Sequence, residues 1–130
     1  MTILDSNIWI ALFNVDDSNH QRAMEMIGQI DDTIGIPEYV IIEVGTVLLH
    51  KTDKSSTDRF IDHITSPSQL PNALHVLSLG MTFLKDVLRT FRQRENKNLS
   101  LVDTALLSLS TNNHILTFDK NLSKALQQSI

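Results

Sequence analysis

An α/β fold, with a central parallel sheet covered by helices on both faces, is what this sequence predicts. Short apolar runs alternate with longer amphipathic stretches, and capping residues or Pro37 stand at several of the junctions. The length of 130 residues and a hydrophobic content of 42% suit one compact domain that buries roughly two thirds of the surface its unfolded chain exposes. Strands alternating with helices pair in parallel through right-handed crossovers, which places helices on both sides of the sheet. The expectation is a three-layer α/β sandwich of about four to five strands, formed by residues 1–130 as a single domain.

Each element follows from its local pattern. Residues 2–5 are a short apolar run ending in Asp5, and residues 7–13 carry apolar side chains on several faces, the pattern of a buried strand feeding a helix. Ser18 and Gln21 have capping-box spacing and predict a helix in which Ala23, Met24, Ile27 and Ile30 recur every three to four residues. Residues 33–36 form a second strand. Pro37 suits the first position of a helix reaching about His50, with Val40, Val44, Val47 and Leu48 as its apolar stripe. Residues 55–65 make another amphipathic helix, followed by a loop over 66–71. Residues 74–79 are a third strand, and 81–91 resume helical spacing through Phe83, Leu84, Val87 and Leu88. The polar stretch 92–98 reads as a loop, 100–109 as an apolar helix, 114–118 as a fourth strand and 121–127 as a short last helix.

Composition removes several function classes. With 15 Asp+Glu against 11 Lys+Arg and a formal net charge of −4, the chain is no general basic coat for nucleic acid, so any such partner must be held locally. The absence of cysteine excludes a disulfide scaffold, a thiolate zinc site and a cysteine nucleophile, and it fits the cytoplasm. Four separated glycines leave no phosphate-cradling loop, and five scattered histidines contain no His-Glu-x-x-His pattern. No run of about 18 apolar residues suggests a membrane span.

Four carboxylates stand out because they sit in apolar company: Asp5 after Ile3-Leu4, Glu43 within Val40 to Val44, Asp103 within Leu101 to Leu107, and Asp119 after Phe118. An ionised carboxylate among apolar neighbours is costly unless it is hydrogen-bonded, paired or bound to a metal. Asp5 and Asp119 also end predicted strands, where ligands of open parallel sheets bind. Glu43 and Asp103 fall at the margins of the apolar stripes of their helices and face the rim of the sheet. Taken singly, each has a structural reading: Asp5 and Asp119 as helix N-caps, Ser100 with Asp103 as a capping box, Glu43 as half of an ion pair. Taken together, they are a set of oxygen ligands suited to a hard cation such as Mg²⁺ or Mn²⁺.

In their order and spacing these residues resemble the PIN domain family, and within it the VapC-type toxins of toxin–antitoxin pairs. The resemblance rests on Asp5-Ser6-Asn7 after the first strand, Glu43 on the helix after the second, Asp103 on the late apolar helix and Thr117-Phe118-Asp119 closing the last strand. The segment from Asp17 to Ala23 is also similar to one frequent in the family. The resemblance implies a PIN-like fold and a metal-dependent endoribonuclease. In it Asp5, Glu43, Asp103 and Asp119 hold Mg²⁺ or Mn²⁺, and Ser6, Asn7 and Thr117 orient them by hydrogen bonds. It also implies an RNA substrate; a homodimer, with a protein antitoxin if the chain is a toxin, is expected from Ile42 and Leu49 on the helix that carries Glu43. An RNA-processing nuclease without antitoxin, or a non-catalytic binding module on the same fold, remains open beside it.

A receiver domain is disfavoured because Asp53 lies in a polar linker, and a haloacid-dehalogenase-like phosphatase because Asn7 stands where a second aspartate is needed. Phosphate contacts are expected from the densest basic cluster, Arg89, Arg92, Arg94 and Lys97, with Lys51 and Lys54 as further candidates; a solvated surface is the alternative. Trp9 and Phe13 suit either base stacking or the core, and helical spacing favours the core. Ile42 and Leu49 point away from the stripe of their helix and are expected to be covered by a second subunit or an antitoxin segment.

Overall fold

The computed structural model describes residues 1–66, 72–95 and 98–128. In chain order these form β1 (Thr2–Leu4), α1 (Ser6–Phe13), α2 (His20–Gly28), β2 (Ile34–Pro37), α3 (Glu38–Lys51), α4 (Lys54–Thr65), β3 (Leu74–Leu77), α5 (Gly80–Gln93), α6 (Leu101–Leu109), β4 (His114–Leu116) and α7 (Lys120–Gln128). The strands make one parallel sheet in the order β3-β2-β1-β4, with Thr2 beside both Ile34 and His114. β1 is therefore central, and the chain leaves it towards β2 on one side and arrives at β4 on the other. That reversal is the place where open parallel sheets form ligand crevices, beyond the carboxyl ends of the strands.

Consecutive strand residues point to opposite faces, so the β1 sequence Ile3-Leu4 feeds two cores. Leu4 joins Ile34 and Ile36 beneath α1, α3 and α4, where Ile8, Trp9, Val40, Val44, Leu48 and Phe60 are buried. Ile3 joins Ile115, Leu106 and Leu122 beneath α6 and α7. The result is the expected three-layer sandwich, with four strands. Trp9 and Phe13 belong to the first core: their rings meet Phe60 edge-on at 5.9 and 5.4 Å and flank His63. Gly35 permits the close approach of β1 and β2, since a Cβ there would lie 2.5 Å from Met1 Sδ and 3.2 Å from Ile3 Cγ1.

Three element boundaries, the starts of α2 and α3 and the end of α5, differ instructively from the sequence pattern. Ser18 does not cap α2: Asn19 holds the N-cap position without a side-chain bond, because Asp17 Oδ1 takes the Asn19 N–H in a tight turn. Gln21 reaches Glu25 on the next turn instead of completing a capping box. Pro37 is the last residue of β2 and the N-cap of α3, in extended conformation, so the helix opens at Glu38. α5 continues through Arg92 to Gln93, because its apolar face keeps its period up to Phe91 and the turn closes with Arg94 N–H on the carbonyls of Thr90 and Phe91. Of the expected 66–71 loop only Ser66, the C-cap of α4, falls within the described residues.

Ile42 is 72% exposed and Leu49 49%, so α3 does carry an uncovered apolar edge. Among the described residues, no helix is long and apolar enough to cross a membrane.

Candidate functional site

Asp5 is the first residue beyond β1, and its position follows from the sheet. Its N–H makes the bond to the Leu116 carbonyl at the end of the β1–β4 ladder (2.9 Å), after which the chain turns into α1. The Asp5 carboxylate caps that helix: Oδ1 accepts from the Ser6 N–H (2.7 Å), with Ser6 Oγ at 3.4 Å. Oδ2 accepts from Thr117 Oγ1 (2.6 Å), just beyond β4. Thr117 Oγ1 in turn receives Asn7 Nδ2 (3.2 Å) and the Asp119 N–H (3.0 Å), while Asn7 Oδ1 takes the Phe118 N–H (3.3 Å). Ser6, Asn7 and Thr117 thus tie the first β–α turn to the last one and fix Asp5 between them.

The carboxylate of Asp5 is held at a cost. Asp5 is only 4% exposed, and burial pushes its pKa above the ordinary carboxylate value. The bonds from Thr117 and Ser6 pull it back down, and the charges of Asp103 and Glu43 push it up again. Those two carboxylates therefore lie within electrostatic range of Asp5. Asp103 stands in the first turn of α6, where Ser100 and Asp103 form a capping box: Asp103 N–H to Ser100 Oγ (3.1 Å) and Ser100 N–H to Asp103 Oδ2 (2.9 Å). Glu43 is half-buried on α3, and its Oε1 is buried without a hydrogen-bond partner. One turn before it, the Tyr39 phenol is raised above its usual pKa, first by burial and then by the charges of Asp5, Glu43 and Asp103. The three carboxylates and the phenol share one neighbourhood.

Asp119 enters differently. Its Oδ2 accepts the Leu122 N–H (2.7 Å) at the start of α7, and its backbone reaches Asp5 through Thr117. Three of the four singled-out carboxylates are thus mutual electrostatic neighbours, and the fourth is joined to them by a hydroxyl.

The donor set suits a hard cation. It is all oxygen, it concentrates negative charge in a partly buried place, and it includes an acceptor, Glu43 Oε1, for which the protein supplies no donor. Among the described residues, no three or more His, Asp or Glu side chains stand close enough together to hold a metal ion.

The basic residues lie to one side. Arg89 pairs with Asp86 on the surface of α5, Arg92 is exposed in the last turn of that helix, and Lys97 lies outside the described residues. Arg94 lines a cleft of about 790 Å³ together with Thr90, Thr104, His114, Ser123 and Thr117, so the cleft runs from the arginine to the hydroxyl that holds Asp5. Lys54 is paired with Asp58 (2.6 Å), and Lys51 is exposed at the end of α3. Two features escaped the sequence reading. Arg22 lies over the Phe118 ring (4.7 Å), which puts a cation beside the β4 end of the site. Tyr39 was signalled only by its place four residues before Glu43.

Comparison with known proteins bears on the fold and the family. A crystal structure of Mycobacterium tuberculosis VapC20, described as a sarcin-ricin loop cleaving toxin, superposes with a TM-score of 0.79 over 96% of this chain and 95% of that one, at 16% sequence identity. The likeness is one of fold. No curated protein matches the chain in sequence. The PIN domain family pattern matches residues 2–126, a span that takes in Asp5, Glu43, Asp103 and Asp119, and the chain belongs to that family.

Proposed function

We propose that this protein is a divalent-metal-dependent endoribonuclease, the toxin of a VapBC-type toxin–antitoxin pair. The observation that carries the reading is the buried Asp5 carboxylate just beyond the carboxyl end of the central strand β1, on which the charges of Glu43 and Asp103 act. These three would hold Mg²⁺ or Mn²⁺, with Asp119 at the rim behind Thr117. A divalent ion bound by such carboxylates supplies an activated water and charge neutralisation for phosphodiester hydrolysis.

The chain's own residues do the rest. Thr117 and the Ser6 N–H keep both oxygens of Asp5 in fixed positions, and Asn7 holds Thr117. The Ser100 N–H fixes Asp103. Arg94, in the cleft that Thr117 also lines, and Arg92, in the last turn of α5, hold RNA phosphates, with Lys97 a further candidate by sequence and Arg89 contributing less because Asp86 already partners it. The similarity to a sarcin-ricin loop cleaving toxin makes that loop the first substrate to examine.

Ile42 and Leu49 support a homodimer or an antitoxin contact on α3, the dimer being readable as a doubled 14.7 kDa mass in light scattering. A single domain over residues 1–130, working in the cytoplasm, completes the reading.

The decisive experiment incubates purified wild-type protein and Asp5→Asn with total RNA in Mg²⁺, in Mn²⁺ and in EDTA, followed by a denaturing gel and mapping of the cut sites. Discrete cuts that need both the ion and Asp5 are expected. Equal patterns from the two proteins would leave a binding module instead of a nuclease.

A further inference from the structure

Three buried side-chain polar atoms have no hydrogen-bond partner among the described residues: Trp9 Nε1, Tyr39 Oη and Glu43 Oε1. Native proteins rarely leave such atoms unpaired, because each forfeits its bonds to water without replacement. Trp9 belongs to the aromatic packing of α1 on α4, away from the carboxylates. The other two are a donor and an acceptor on α3, four residues apart and therefore on neighbouring turns of one face. The two also lie near enough for the charge of Glu43 to act on the Tyr39 phenol.

The three clustered carboxylates are also unequally supported. Asp5 receives Thr117 Oγ1 and the Ser6 N–H, and Asp103 receives the Ser100 N–H, but Glu43 Oε1 receives nothing. A long side chain with one oxygen unheld has several orientations open to it, and a ligand used in that state loses entropy when it binds. The Tyr39 ring, by contrast, is seated in the wall of an apolar cavity of about 320 Å³ with Leu77, Phe83, Val87, Val102 and Ala105, contributed by β3, α5 and α6. It also packs against the first core, so it is less free to move than the Glu43 side chain.

We propose that Tyr39 is a positioning residue for Glu43: its O–H donates to Glu43 Oε1 when the site is loaded and so fixes that carboxylate for the divalent cation. The assignment rests on the metal-nuclease reading above. It closes two unpaired atoms with one bond and gives Glu43 the same kind of support that Asp5 and Asp103 already have. A phenol ordinarily ionises only near pH 10, so Tyr39 is a donor wherever the carboxylates are ionised.

The test uses Tyr39→Phe, which removes one oxygen and keeps the ring in its cavity. Mn²⁺ is titrated by calorimetry into RNA-free wild type and variant, melting temperatures are taken in EDTA, and cleavage of total RNA is followed as Mn²⁺ is raised. The variant is expected to bind Mn²⁺ about tenfold more weakly, the cost of losing an outer hydrogen bond to a metal ligand. Its melting temperature in EDTA should not fall, and saturating Mn²⁺ should restore the wild-type cleavage rate. Unchanged Mn²⁺ affinity overturns the assignment, as does a lowered melting temperature that accounts for the weaker binding. A cleavage defect that persists at saturating Mn²⁺ overturns it too, because the hydroxyl would then act on RNA and not through Glu43. If wild type neither binds Mn²⁺ nor cuts RNA through Asp5, the nuclease reading fails and the task of Tyr39 with it; if wild type does both and the variant matches it, Tyr39 alone is refuted.

Discussion

Asp5 is asked to do two opposed things. It caps α1 and anchors Thr117, both of which favour its charged form, yet it lies almost wholly inside the protein beside two other carboxylates. Burial is the largest influence, and the folded-state pKa is raised above the ordinary value of 3.8. A group raised in this way stabilises the fold fully below its unfolded pKa, and that contribution disappears as pH rises through the folded value. At pH 7 without a cation, ionised Asp5 is therefore a burden on stability. Asp5→Asn deletes the charge and keeps one acceptor oxygen, which can serve the Ser6 N–H or the Thr117 hydroxyl but not both; relief of the buried charge, the largest influence on Asp5, outweighs that one lost bond. It should raise the melting temperature in EDTA at pH 7 by a few degrees, corresponding to about 1 kcal/mol, while abolishing cleavage. Differential scanning calorimetry of the two proteins checks this, and a lower melting temperature for the variant would show that the cap depends on full charge. The gain should shrink as pH is lowered towards the folded pKa of Asp5, where wild type becomes protonated as well. The carboxylates themselves were visible in the sequence because charge among apolar residues is conspicuous. The partner of Asp5 was visible only through family resemblance, since Thr117 is 112 residues away and a hydroxyl carries no local signal of what it will bind.

Helices and strands were legible wherever the apolar period was long, as in α3, α5 and α6, because burial of one face decides the conformation. Their ends were less so. Asp16, Asp17, Ser18 and Asn19 are all competent caps or turn formers, and local spacing does not say which of them the incoming chain direction will use. At α6 the competition is absent, and Ser100 with Asp103 forms the capping box that their spacing suggests. That cap has a double duty, for Asp103 is at once the third residue of the helix and a member of the carboxylate cluster. Ser100→Ala removes the acceptor for the Asp103 N–H and should cost about 1 kcal/mol, the usual worth of an N-cap. It should also weaken Mn²⁺ binding, because the first turn of α6 that carries Asp103 loosens with it. Chemical denaturation and a Mn²⁺ titration of the same variant measure the two effects. Lost stability with full Mn²⁺ affinity would mean that the cap serves the helix alone.

At the level of the whole molecule, the strand order β3-β2-β1-β4 brings Asp5 and Asp119 to the same end of adjacent strands, and α3 and α6 bring Glu43 and Asp103 to that end from opposite faces. This convergence was expected from strands that end in aspartate, whereas the cleft linking it to Arg94 depended on how α5, α6 and α7 pack at the edge strand β4. A chain of net charge −4 with carboxylates at its centre repels a polyanion, so RNA has to be drawn in by a local field. Arg92 and Arg94 are placed to provide it, having no ion pair among the described residues and lying at the end of α5, whereas the charge of Arg89 is compensated by Asp86. Each phosphate neutralised on single-stranded RNA contributes about 0.7 to the slope of log K against log salt, so replacing both arginines by alanine should flatten that slope by about 1.4. Fluorescence anisotropy with a labelled RNA, in EDTA and in the Asp5→Asn background, isolates binding from cleavage. Arg89→Ala in the same background should move the slope much less, since its loss also frees Asp86. Equal slopes for the double variant and its parent would remove Arg92 and Arg94 from the RNA path, leaving Arg22 above Phe118 as the cation best placed beside the carboxylates.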